Sequence, residues 1–162
     1  MLLVALFSLA LFAPKRELYY LLEEQLMKQD IIINNEIVED GLLSITLNHP
    51  EIYFKGIRIA EVESIRLWSL LFYSRLDIKS IAVNQRLQQF VATDIESIAI
   101  THTPLVPKEL SLLGEGGFGV VDGTMGLESR VVRINIYDDA LITKLKALLK
   151  QDDKGWYYET SF

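Results

Sequence analysis

The sequence predicts an α+β protein that is mostly β. Its predicted core is an antiparallel meander of about nine strands forming a curved sheet. One helix precedes the meander and a second precedes the last strand. Three observations predict this. From Asp30 onward, β-branched residues and two-residue alternation dominate. The links between alternating runs are shorter than the dozen or more residues that a βαβ crossover needs, so the sheet reads as antiparallel with one apolar face. Helical periodicity occurs in two places only, near the start and near the end of the chain.

Taken in order, Pro14 to Gln29 reads as the first helix. Pro14 suits a first turn. Leu18, Leu22 and Leu26 fall at four-residue spacing, flanked by Tyr19 and Met27. Glu23, Glu24 and Lys28 mark the wet side, with Glu24 and Lys28 a favourable i,i+4 pair. Ile31–Ile33 is a short strand. Leu43, Ile45 and Leu47 alternate with Ser44, Thr46 and Asn48, and Asn48-His49-Pro50 reads as a turn. Glu51–Lys55 is a strand broken at Gly56. Ile57–Leu67 follows, and the order Ile57, Ile59, Val62, Ile65 suggests a slip of face within it. Trp68–Tyr73 reads as a short apolar connection, and Arg75–Asn84 alternates again. Gln85–Phe90 is a candidate helical turn. Asp94–Thr103 is a strand, with Pro104 and Pro107 flanking a bend. Lys108–Leu113, Phe118–Met125 and Arg130–Tyr137 continue the meander. Asp138-Asp139 opens the second helix, where acidic residues favour the N-terminal dipole. Leu141, Leu145, Leu148 and Leu149 form its apolar stripe; Lys144, Lys146 and Lys150 form its wet face. Asp152–Gly155 is a turn, and Trp156–Phe162 a final aromatic strand.

Composition separates the chain into two parts. It has 162 residues, no cysteine, a net charge of −6 and a mean hydropathy of +0.23. Residues 1–13 contain twelve apolar residues and Ser8. They supply roughly 35 of the roughly 37 hydropathy units in the whole chain. The remainder, 14–162, reads as one ordinary acidic β-rich domain. As a helix, the leader would span about 20 Å at about 1.5 Å per residue, less than the roughly 30 Å bilayer core. Three readings of it stay open: an uncleaved membrane anchor, a cleaved signal segment and a buried N-terminal segment. As an anchor it would act through Leu2, Leu3, Val4, Leu6, Phe7, Leu9, Leu11 and Phe12. The lack of cysteine removes disulfides, zinc-thiolate sites and thiol catalysis. Net negative charge argues against nucleic acid as a partner.

No residue pattern specifies a reaction. Leu113-Gly-Glu-Gly-Gly-Phe-Gly-Val-Val121 matches a kinase glycine-rich loop. The next predicted strand carries Arg130-Val-Val-Arg-Ile134 where a kinase needs lysine, so the glycines read as bulges or tight hairpins. His49 and His102 have no carboxylates at metal-ligand spacing beside them. Glu36, Glu39, Asp40, Glu61, Glu63, Asp94 and Glu96 are scattered and read as a solvated face. The expected site therefore has no catalytic, cofactor-binding or metal-binding residues, and no cofactor. Trp156, Tyr158 and Phe162 share one face of the last strand. They are candidates for an edge that receives a partner's strand; an outer-membrane barrel terminus is the competing reading.

One family has this layout. Its residues here are the apolar leader, Tyr53-Phe-Lys-Gly-Ile57, Ile59-Ala-Glu-Val-Glu-Ser-Ile65, Leu70-Leu-Phe-Tyr73, Gly117-Phe-Gly-Val-Val-Asp-Gly123 and Leu127-Glu-Ser-Arg-Val-Val132. The pattern resembles the general secretion pathway protein N family, and more loosely the AsmA-like proteins of bacterial envelopes. The resemblance implies an inner-membrane tether and a periplasmic β domain. It also implies a non-catalytic role in type II secretion or in envelope assembly and lipid trafficking. The expected partners are an envelope or secretion-system protein, a lipid, or both. An envelope hydrolase using acidic residues and a small outer-membrane barrel component are the rival readings.

Overall fold

The computed structural model describes residues 15–70, 73–84 and 94–161. The leader, Phe162 and the candidate turn Gln85–Phe90 lie outside the described residues. The fold is mostly β, with 83 of the 136 described residues in strands. Two helices and twelve strands are described: α1 (Lys15–Met27), β1 (Ile31–Asn34), β2 (Ile37–Asp40), β3 (Ser44–Asn48), β4 (Glu51–Phe54), β5 (Ile57–Leu70), β6 (Tyr73–Val83), β7 (Asp94–His102), β8 (Glu109–Gly116), β9 (Gly119–Gly126), β10 (Val131–Ile136), α2 (Asp139–Leu145), β11 (Lys150–Asp152) and β12 (Gly155–Ser161). The strands form one open antiparallel sheet in the order β1-β4-β5-β6-β7-β8-β9-β10-β12-β11, with β2 on β3 and β3 on β5.

The expected meander is present, with more strands than the nine expected. Part of the excess is interruption rather than extra reversal. Asn48 pairs with Ser64 and Glu51 pairs with Glu61. Between them the His49 N–H donates to the Glu63 carbonyl at 2.9 Å, and the Val62 N–H donates to the Pro50 carbonyl at 3.0 Å. β3 and β4 are thus one strand along β5 with a bend at His49-Pro50. The expected turn there is corrected: proline removes one donor and His49 has φ 53°, but the chain does not reverse. β1 and β2 form the same kind of interrupted strand, bent at Asn35 with φ 62°. Strand β2 escaped the sequence reading because its four residues, Ile-Val-Glu-Asp, include just two apolar ones.

Two further expectations change. Trp68 to Leu70 belongs to β5, pairing with β6 as far as Leu70 opposite Tyr73, so it is not a connection. The second helix stops at Leu145, and Lys150 begins β11 instead of continuing a wet helical face. Asp138 caps α2, its Oδ1 accepting the Leu141 N–H at 2.7 Å. Two-residue hairpins join three of the strand pairs. Lys55 (φ 50°) and Gly56 (φ 76°) form a two-residue turn with both φ angles positive. Gly117-Phe118 joins β8 to β9, and Asp153-Lys154 joins β11 to β12.

Little of this sheet is deeply buried. The main cluster is Tyr19 of α1 against Ile45 and Leu47, with Val38, Ile65 and Leu67 packed around it. Val62 (1% exposed) and Ala60 (9%) are buried farther along β5, and Ile136 (5%) at the β10 end. The central strands β6 and β7 carry no fully buried side chain among the described residues.

Candidate binding face

Residues directly opposite in an antiparallel ladder share a face. The registers therefore define each face row by row. One row runs Val38, Leu47, Ile65, Ile78, Ile98, Gly114, Val121, Ile136, Trp156. The next runs Ile45, Leu67, Leu76, Ile100, Leu112, Gly123, Ile134, Tyr158. These two rows make a continuous apolar floor. At its β3 end α1 lies on it through Tyr19. At its β12 end Lys146, just past α2, sets its ammonium 5.7 Å from the Trp156 ring centre. Between them the side chains of β6 to β9 are half-exposed.

The opposite face over the same strands is mostly polar, with Trp68, Ala99 and Leu113 among its apolar members. Arg75 pairs with Asp77 at 2.8 Å, and Arg66 donates to the Thr46 hydroxyl at 3.3 Å. The Asn135 amide donates to Asp122 at 3.0 Å, and the Tyr137 hydroxyl also donates to Asp122, which raises the Tyr137 pKa. Arg133 pairs with Asp152 and stacks 3.7 Å from the Tyr157 ring centre. That guanidinium, and then the Lys154 N–H, holds the Asp152 carboxyl below its ordinary value.

The polarity inverts along a line across the strands. Asn35, His49 and Ser80 have positive φ and lie on one transverse track, since Glu36, His49, Glu63 and Ser80 occupy successive strands. A register shift between Ile95 and Ser97 continues the track into β7. Beyond this crease the apolar residues sit on the other face, in the rows Pro50, Val62, Ile81, Ile95 and Ile33, Ile52, Ala60, Val83. The suspected slip of face in β5 is thus an inversion of polarity within an unbroken register, from Ala60 opposite Val83 to Leu70 opposite Tyr73.

Where the floor meets the crease, the same face turns acidic. Glu36 accepts the Tyr19 hydroxyl at 2.8 Å. Burial, then that hydrogen bond, pushes the Tyr19 phenol pKa up. Glu51 accepts hydrogen bonds from Tyr53 (2.8 Å), Arg58 (2.7 Å) and Asn35 (2.7 Å). These hold its carboxyl below the ordinary value, Tyr53 most strongly. Glu61 and Glu63 stand exposed beside them, with Glu61 4.0 Å from Arg58. A surface cleft of 340 Å³ at this margin is lined by Arg58, Ala60, Glu61, Ala82, Val83 and Asn84.

The remaining sequence-derived residues fall as follows. Trp156 pairs with Ile136 on one side and Gln151 on the other, so it is not an edge residue; β11 is the edge. The sequence reading missed β11 because Lys-Gln-Asp carries no strand signal. Tyr158 pairs with Ile134 and lies one residue past the last β11 pairing. Leu2, Leu3, Val4, Leu6, Phe7, Leu9, Leu11, Phe12 and Phe162 lie outside the described residues. The His102 ring nitrogen lies 3.1 Å from the Pro107 carbonyl. Among the described residues, no group of three or more histidines and carboxylates is placed to hold a metal ion.

The glycine motif spans the hairpin between β8 and β9. Gly116 and Gly119 close a hairpin, with φ 79° at Gly119. Gly114 and Gly123 lie in the apolar floor. A Cβ on Gly123 would meet the Arg133 carbonyl oxygen at 2.3 Å, so two backbones pass where no side chain fits. No family model, curated protein or solved structure matches this chain.

Proposed function

We propose that this chain is a non-catalytic, membrane-tethered domain on the periplasmic side of a bacterial inner membrane. It acts in type II secretion or in envelope assembly and lipid trafficking by binding a protein partner or a lipid. The observation that carries this reading is the apolar floor over β6 to β9, left half-exposed between the helix on one end and Trp156 on the other. A contiguous apolar surface of this kind is a binding surface far more often than a solvated one. The apolar run 1–13 supports the tether, and the resemblance to the general secretion pathway protein N family supports the compartment. Among the described residues, no helix is long and apolar enough to cross a membrane.

The hydrolase reading draws less support. Glu36 and Glu51 spend their oxygens on Tyr19, Tyr53, Arg58 and Asn35. The barrel reading requires a closed ladder, whereas the described sheet is open, ending at β1 and β11.

Membrane fractionation of the full-length chain tests the proposal. The expected outcome is retention in the inner-membrane pellet through carbonate washing, release by detergent, and accessibility to protease from the periplasmic side. Removal of residues 1–13 releases the domain. A full-length chain found free in the cytoplasm overturns the proposal.

A further inference from the structure

We infer that the floor receives an amphipathic helical segment of a protein partner, apolar on one side and carrying lysine or arginine at the end that lies over the crease. This rests on the binding-domain reading above and names the chemistry of its partner.

Two features fix the occupant. The first is shape. Four strands at about 4.8 Å spacing leave a strip of about 14–19 Å between the covered ends, wide enough for a helix of about 10–12 Å diameter. Within the strip Leu76, Ile78, Ile98, Ile100 and Leu112 present half-exposed apolar side chains to an occupant, while Gly114 and Gly123 are buried between their neighbours. The second feature is charge. At the crease end of the strip this face carries Glu63 and Glu61 on β5, the strand next to β6, and the exposed Glu96 two residues from Ile98 on β7; Glu36 and Glu51 lie farther out, beyond β5. Arg58 is the cation paired there, against Glu51 and Glu61. One end of the strip is therefore net negative, on a chain that is itself −6. A cationic helix end is attracted to that margin, and a helix N-terminus adds its own partial positive charge. An anionic lipid headgroup at the same margin meets carboxylates, which disfavours it relative to the peptide.

The test uses the full chain in neutral detergent and two fluorescent probe peptides of about 14 residues each. Both are leucine-based amphipathic helices; one carries three lysines at its N-terminal end and the other three glutamates. A fluorescent fatty acid serves as the lipid probe. The basic peptide is expected to bind about tenfold more tightly than the acidic one, with the gap closing in high salt and in the Glu61→Gln/Glu63→Gln variant. Ile98→Thr, which keeps the β-branched shape, is expected to weaken the basic peptide several-fold, with unchanged circular dichroism. Equal binding of the two peptides, or binding indifferent to Ile98→Thr, overturns the inference. Binding of the fatty acid alone, lost in Ile98→Thr, also overturns it but leaves the binding-domain reading standing. If no probe responds to Ile98→Thr, the inference fails, and the fractionation experiment decides the broader reading separately.

Discussion

Gly123 shows how closely single residues constrain this sheet. Its absent Cβ would sit 2.3 Å from the Arg133 carbonyl oxygen, a backbone atom that cannot step aside without shifting β10. Gly123→Ala is therefore expected to cost about 3 kcal/mol, read as a lower denaturant midpoint. Gly114→Ala meets the Val121 Cγ2 at 3.0 Å, a longer contact and with a side chain instead of backbone, and should cost less. Equal effects at both sites would refute the account of Gly123. Glu51 sets a second residue-scale expectation. Its folded pKa is lowered by Tyr53, Arg58 and Asn35. The stability it contributes is therefore present above the unfolded carboxyl value and is lost as pH falls through the folded one. Glu51→Gln should leave a chain whose melting temperature falls less steeply on acidification than the parent's. Parallel pH profiles would exclude that role.

The crease matters at the scale of the element. β5 keeps one register with β6 from Ala60 to Leu70 while its inward apolar side chains change face between Val62 and Ile65. A slipped strand would bury Glu63 in part; an inverted one leaves it wet. Val62→Ala is expected to cost about 2 kcal/mol and Glu63→Ala less than about 0.5 kcal/mol in equilibrium unfolding. A large loss at Glu63 would favour a slip. The irregular apolar order Ile57, Ile59, Val62, Ile65 signalled this place in the sequence. Its meaning was not legible there. A change of face by register slip and a change of face at aligned positive-φ residues leave the same trace in one strand. They differ only in what the neighbouring strands do. The Asn48-His49-Pro50 bend misled for a related reason: those residue types favour a turn and a bent strand alike, and the ladder to Glu63 and Val62 decides between them.

Across the whole molecule, ten described residues are buried, and most strand residues on both faces are half-exposed. A compact domain of about 150 residues would unfold with a heat-capacity change of about 2 kcal/mol/K. A sheet with so little covered apolar surface should fall clearly below that in calorimetry. A value at or above it would mean that the apolar floor is covered in solution by another part of the chain or by a second copy. Addition of a basic amphipathic peptide should raise the melting temperature through linkage, since it binds only the folded sheet.

By itself, the sequence determined the class of fold: an antiparallel, mostly β chain with a helix at its head and another near its tail. It also pointed to the tight hairpin that Gly116 and Gly119 close. These follow from local causes, namely alternation, helical period, short links and the backbone freedom of glycine. The tertiary structure alone decided which residues share a face. It placed Trp156 inside the sheet instead of at its edge, joined β3 to β4 as one bent strand, and set the acidic row of Glu36, Glu51, Glu61 and Glu63 at the end of the apolar floor. Those carboxylates are up to 27 positions apart in the chain and look scattered there. They meet because pairing across strands is fixed by register, a non-local quantity that no short stretch of sequence encodes.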